Sequence, residues 1–296
     1  MFGISKNYCY ICTLKADVYG NGNMIVKRLL YIMLISFALT GCSYYSKVQK
    51  STDADLKFTA AKNFYLEKKY TRSIQLLETL MGEFRGTPKA EELLYLLAKA
   101  YMAKEDYLSA SEYFDTYLRN FPRGQFAESS RYEIGYCYYE DSPDVRLDQT
   151  ATENAIYSFS EYLEYYPAGV HAEQALKYLN EMENKLSHKA YLAAKLYYNL
   201  GLYGGNNYRS CIVTAENMLK DYPDSEFKQD AMYLILLSKQ KEAEMSVEEK
   251  KFDRYSELVD ECYRYSNEYP EGRYAKETKR VLDDARKEME KMTPQE

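Results

Sequence analysis

A punctuation mark recurs along this chain and restricts it to a repetitive helical fold. It reads Phe121-Pro122-Arg123-Gly124, Tyr166-Pro167-Ala168-Gly169, Tyr222-Pro223-Asp224-Ser225 and Tyr269-Pro270-Glu271-Gly272, with Phe84-Arg85-Gly86-Thr87 as a degenerate first copy. A helix start such as Phe126-Ala127-Glu128 or His171-Ala172-Glu173 follows each mark. Proline after an aromatic residue ends one helix, and the small residue helps turn the chain into the next.

Pairs of amphipathic helices lie between the marks. In the second pair Leu94, Leu97, Ala98 and Tyr101 share one helix face, followed by Ala110, Phe114 and Tyr117 on the next helix. Leu-small-x-x-Tyr, then Ala-x-x-x-Phe, then Pro is the tetratricopeptide (TPR) pattern of about 34 residues. The first pair carries Ala60, Ala61, Phe64, Ser73, Leu77 and Leu80, and the third Ile134, Gly135, Tyr138, Ala155, Phe159 and Tyr162. An insertion from Glu140 to Thr150 lengthens the third turn. The fourth pair has Tyr198, Leu202, Cys211, Ala215 and Met218, with Gly201 to Asn207 as a wide turn and His188 near a helix start. The fifth runs from Met232-Tyr233-Leu234 through a charged link, Ala243 to Lys251, to Leu258, Cys262 and Tyr265. The fold expected is an all-α superhelix of about five TPR-like pairs, closed by a charged capping helix from Ala275. Repeats 1–3 should occupy 56–186, and repeats 4–5 with the cap 187–296.

The N-terminal region has a different character. Lys27 and Arg28 precede an apolar run, Leu29 to Leu39, that ends in Thr40-Gly41-Cys42. A charged start, a short apolar stretch and a small-residue cleavage site make an export signal over 24–41. The run is shorter than the ~20 residues a spanning helix needs. Cys42 would become the mature N-terminus and carry lipid, with 42–55 as a polar tether without a core pattern. Residues 1–23 read as an extension upstream of the true start at Met24, and Cys9-x-x-Cys12 within it lacks partner ligands.

Composition narrows the chemistry. A net charge of −6 with 28% charged residues gives no basic face for nucleic acid. Tyrosine stands out at 34 residues with no tryptophan, while glycine and proline number only 13 and 7. Scarce turn formers favour helices, and tyrosine suits half-buried helix faces. Cys137, Cys211 and Cys262 sit in apolar helical patterns and read as small core residues. No nucleophile, base or phosphate-loop constellation is present, His171 and His188 share no ligand spacing, and no metal or cofactor is expected. What remains is surface. By repeat position the first helices of pairs 1–3 should form a groove of Phe58, Lys62, Tyr65, Tyr95, Lys99, Met102, Tyr132, Tyr136 and Tyr139. Aromatic residues with interspersed lysines suit an extended peptide with aromatic side chains and a free carboxylate; the alternative is that these tyrosines only pack against neighbouring helices.

A lipoprotein signal followed by such repeats resembles the BamD family of the outer-membrane β-barrel assembly machinery. The resemblance is carried by Ala155-Ile156-Tyr157-Ser158-Phe159-Ser160-Glu161-Tyr162 leading to Tyr166-Pro167, by Glu216 to Asp224, and by the insertion with Arg146 to Thr150. It implies a non-enzymatic lipid-anchored scaffold on the periplasmic face of the outer membrane of a Gram-negative bacterium. The C-terminal repeats would dock the POTRA domains of a BamA-like barrel protein. The N-terminal repeats would receive unfolded outer-membrane β-barrel proteins, and other assembly lipoproteins are further candidate partners. Another periplasmic TPR lipoprotein adaptor, serving envelope division or peptidoglycan synthesis, would share the anchor and the repeats. A SusD-like binder would be longer and would use tryptophan. The prefix, the tyrosine content and the link from Ala243 to Lys251 depart from the family.

Overall fold

The computed structural model describes residues 44–292, so the prefix, the expected export signal and Cys42 lie outside the described residues. The elements are α1 (44–49), α2 (Ala54–Leu66), α3 (Tyr70–Leu80), α4 (Lys89–Ala103), α5 (Tyr107–Asn120), α6 (Ala127–Asp141), α7 (Thr150–Tyr165), α8 (Ala172–Leu200), α9 (Asn207–Asp221), α10 (Lys228–Glu244), α11 (Glu248–Glu268) and α12 (Ala275–Met292). No strand occurs among the described residues. Each helix packs mainly on its neighbours in sequence, as a solenoid requires. The protein is an all-helical TPR-like superhelix with α12 closing its C-terminal end.

At three of the marks the residue is glycine because of a hydroxyl beneath it. Tyr117 ends the core face of α5; its hydroxyl donates to Glu91 Oε1 at 2.6 Å and accepts the Phe126 amide at 3.0 Å. Glu91 Oε1 also accepts the Gln125 amide at 2.7 Å. A Cβ on Gly124 would stand 2.3 Å from both oxygens, so only glycine fits. One repeat on, the Tyr162 hydroxyl bonds Glu128 at 3.1 Å and the His171 amide at 3.0 Å, beneath Gly169. At the last mark the Tyr265 hydroxyl accepts the Tyr274 amide at 3.2 Å, with Gln229 in the glutamate's place beneath Gly272. The remaining two marks invert the pattern. Met218 and Leu80 have no hydroxyl, and Ser225 and Thr87 replace glycine. Ser225 Oγ then takes over the amide of Phe227 at 3.0 Å and donates to Ser187 at 2.8 Å. Thr87 Oγ1 instead donates to the Phe84 carbonyl at 2.7 Å, so both marks that lose the tyrosine hydroxyl carry a hydroxyl side chain at the turn.

Three expectations change. Residues 44–49, expected within a tether, form α1: Val48 is 2% exposed and the Tyr45 hydroxyl donates to Gln75 at 2.6 Å. The tether lacked a visible core pattern because one helical turn offers too few positions for periodicity to show. The charged link shrinks to residues 245–247, because Glu248 and Glu249 occupy the first turn of α11 and Lys251 pairs back to Glu248 at 3.0 Å. Acid at a helix N-terminus is favourable, so charge here marks a helix start. Finally, α8 runs unbroken for 29 residues through the boundary drawn at 186/187, and His188 lies inside it. Its first half packs on α7 and its second on α9. The long turn before α7 and the glycine turn after α8 stand where expected, at 142–149 and 201–206.

Gly124→Ala should destabilise the fold by about 1–3 kcal/mol through overpacking. In the double variant Tyr117→Phe/Gly124→Ala the costs should be less than additive, because the hydroxyl that the new methyl strikes is gone. Chemical denaturation of the four proteins of the cycle reads this; strict additivity would remove the steric account.

Candidate functional site

The face built by the first helix of each pair, α2, α4, α6 and the first half of α8, carries the residues expected to form a groove. Their environments differ. Phe58 is buried against Phe84 in an edge-on contact at 5.5 Å. Tyr132 is also buried, stacked on the His171 ring at 4.2 Å, and desolvation pushes its phenol up to about 12. Tyr95 stacks on Phe126 at 4.1 Å with the rings 4° from parallel. These stacks belong to a ladder continued by His188 on Phe227 at 4.3 Å and Tyr233 on Tyr274 at 4.0 Å. In every rung a ring from the first helix of a repeat meets the residue just before the next repeat's first helix. Phe58, Tyr95 and Tyr132 are therefore packing residues first.

Tyr65, Met102, Tyr136 and Tyr139 are partly exposed. Tyr65 contacts Tyr70 at 5.7 Å, and burial raises its phenol. Tyr136 and Tyr139 form a cluster with Tyr178 of α8 at 5.9 and 4.2 Å. Donation of a hydrogen bond to the Glu140 carboxylate, then burial, raises the Tyr136 phenol. Tyr139 donates to Glu181 at 2.9 Å, and burial followed by that bond pushes it up to about 12.

The lysines are held by the next repeat. Lys62 lies over the Phe58 ring at 4.4 Å and pairs with Glu92 at 2.5 Å, both side chains being well exposed. Lys99 pairs with Glu133 at 2.7 Å with side-chain exposures of only 24% and 14%. Glu92, Glu133, Tyr178 and Glu181 were not anticipated. A sequence signal existed for Glu133, which stands one repeat length, 34 residues, after Lys99. The face brings Tyr65, Tyr95, Lys99 and Glu133 within electrostatic reach of one another, and Tyr132, Tyr136 and Tyr139 into one aromatic row.

Catalytic equipment is not assembled elsewhere among the described residues. Cys137, Cys211 and Cys262 are buried free thiols, and burial pushes Cys137 and Cys262 up to about 12. A buried thiol that holds its proton is a poor nucleophile. Both histidine rings are stacked on aromatic neighbours. No group of His, Cys, Asp or Glu among the described residues is placed to hold a metal, and no described helix is long and apolar enough to cross a membrane.

The raised phenols make the fold alkali-sensitive. A phenol raised in the folded state favours its neutral form there. Its contribution is complete below the unfolded value of 10.0 and is lost as pH climbs toward the folded value, about 12 for Tyr132. Helical circular dichroism should therefore be lost together with the late-ionising part of the tyrosinate absorbance, above about pH 10. Full ionisation with the helices intact would contradict this.

Comparison with known proteins places the chain. Residues 50–204 match the YfiO family, described as an outer membrane lipoprotein. The outer membrane protein assembly factor BamD of Helicobacter pylori (strain ATCC 700392 / 26695) is 29% identical over 89 residues, which cover 30% of this chain and 40% of that relative. The chain thus aligns with well under half the length of that relative. Among solved structures, the TPR2AB domain of yeast Sti1 in complex with pHSP90 is similar at TM-score 0.35 and 15% identity, covering 79% of this chain and 98% of that one. The apo form of RapI is similar at TM-score 0.33 and 16% identity, covering 88% and 96%. Likeness at this level says nothing of function. The family match spans more than half of the sequence, and the chain belongs to the YfiO (BamD) family of outer membrane lipoproteins.

Proposed function

We propose that this protein is a non-enzymatic TPR scaffold of the β-barrel assembly machinery, anchored by lipid on Cys42 to the periplasmic face of the outer membrane. Its C-terminal repeats, α8 to α12, dock the POTRA domains of a BamA-like protein. Its N-terminal repeats receive unfolded outer-membrane proteins. The observation that carries this reading is the family match over α2 to α8, together with the BamD relative. The export signal ending in Gly41-Cys42 supports the anchor.

The first-helix face refines how a substrate would be held. A chain end brings a carboxylate, which needs a cation that can change partners. Lys62 qualifies, since its pair with Glu92 is exposed on both sides and worth little. Lys99 does not, because separating it from Glu133 would strand a partly buried carboxylate. Tyr65, Met102, Tyr136 and Tyr139 offer the partly exposed surface beside them.

The first experiment is a mild-detergent pulldown from membranes through a C-terminal tag. Stoichiometric recovery of a POTRA-bearing barrel protein is expected. Recovery of division or cell-wall proteins instead would move the chain to the generic adaptor class. A second test separates the two lysines. Lys62→Glu should weaken binding of peptides ending in an aromatic carboxylate by roughly fivefold, as loss of a ~1 kcal/mol contact predicts, with thermal stability unchanged. Lys99→Glu should lower thermal stability. Unchanged affinity in Lys62→Glu would remove the groove proposal.

A further inference from the structure

The first repeat carries a basic and aromatic face at the point where the chain enters the fold. Phe64 is its hub. Tyr44 and Tyr45 lie 6.2 and 5.7 Å from the Phe64 ring, and the Lys69 ammonium and Arg72 guanidinium lie 5.9 and 5.8 Å from it. Tyr44 and Leu66 are large apolar groups left 51% and 77% exposed. Lys47, one helical turn after Tyr44, and Lys68, beside Lys69, are exposed and have no carboxylate partner among the described residues. From Tyr44 to Arg72 there are seven lysines or arginines against three acidic residues, on a chain whose net charge is −6.

The docking of α1 gives this face a location. Cys42 precedes Tyr44 by two residues, which reach at most about 7 Å. Val48 and Tyr45 fasten α1 to the repeat, so no slack lies between an acylated Cys42 and this face. Aromatic rings and leucine among lysines are the composition of an interfacial surface: the rings sit at headgroup level and the cations meet lipid phosphates.

We infer that this face is a membrane-contact surface. Lys47, Lys68, Lys69 and Arg72 meet anionic phospholipid headgroups, and Tyr44 and Leu66 enter the interface beside the acylated cysteine. The first repeat then lies against the bilayer, and the superhelix leaves the membrane from a fixed end. The geometry rests on lipidation at Cys42, but the chemistry of the face is testable without it.

The processed chain from position 42, carrying Cys42→Ala, has neither signal peptide nor lipid. It should cosediment with phosphatidylcholine vesicles containing phosphatidylglycerol, lose that binding as salt rises, and ignore pure phosphatidylcholine. Adding Lys47→Glu, Lys68→Glu and Lys69→Glu should lower the partition coefficient at least tenfold, given about fivefold for each basic residue near an anionic surface. The charge-matched control Lys276→Glu/Lys279→Glu/Lys287→Glu on α12 should bind like the parent, with helical circular dichroism unchanged in both. Absence of vesicle binding, equal binding by the first triple variant, or an equal loss in the control would each overturn the proposal. So would capture of an acidic protein by this face without vesicle binding. Palmitate labelling of the unmutated chain reads lipidation separately. Its failure would remove the anchor reading and leave the vesicle result to be judged on its own.

Discussion

A phenol hydroxyl wedged under a turn holds this superhelix in register. Tyr117 and Tyr162 each join three pieces of chain: the second helix of a repeat that carries the ring, the glutamate at the start of that repeat's first helix, and the amide that opens the next repeat. Amides at a helix start lack intrahelical acceptors and need one from outside. A hydrogen bond to a charged group contributes about 1.5–3 kcal/mol, more than a neutral one. The clamp thus satisfies an orphan donor and a carboxylate together while fixing the angle between consecutive pairs.

The clamp explains the unusual composition. Three of the five junctions use a tyrosine below the turn, and four carry an aromatic stack beside it, such as Tyr95 on Phe126 or Tyr233 on Tyr274. The stacks add ~1 kcal/mol each beyond their burial. Large rings with a polar tip are needed because the junctions are thin: a solenoid repeat touches only its neighbours and cannot borrow from a distant core. Ion pairs repeat the theme, with Lys62, Lys99 and Lys239 each reaching a carboxylate on another helix. Much of what looked like a binding surface in the sequence is the fastening between repeats.

The helix pairs, the turn before α7 and the capping helix were legible because periodicity is a local property, written within fifteen or so residues. Even the trade of glycine for Ser225 and Thr87 where Met218 and Leu80 replace tyrosine is written in the sequence, though only the clamp geometry gives it meaning. The groove residues were half legible. Repeat position placed Tyr95 and Tyr132 on the first helices of their pairs. It could not reveal that rings from the following turn cover them, since that depends on how one repeat sits on the next. Charge misled at Ala243 to Lys251, where acidic residues open a helix rather than fill a loop.

The sequence by itself determined that the chain is a series of helix pairs joined at aromatic-proline marks, and it carried the family resemblance. Tertiary structure decided three further matters. It turned residues 44–49 into a docked helix rather than a tether, ran α8 unbroken through two repeats, and committed Lys99 to Glu133 while leaving Lys62 in an exposed pair. The physical reason is common to all three. Helix formation is set by neighbours along the chain, whereas burial and pairing are set by which faces meet across a junction. The junction angle is fixed by contacts between residues more than thirty positions apart, such as Glu128 and Tyr162.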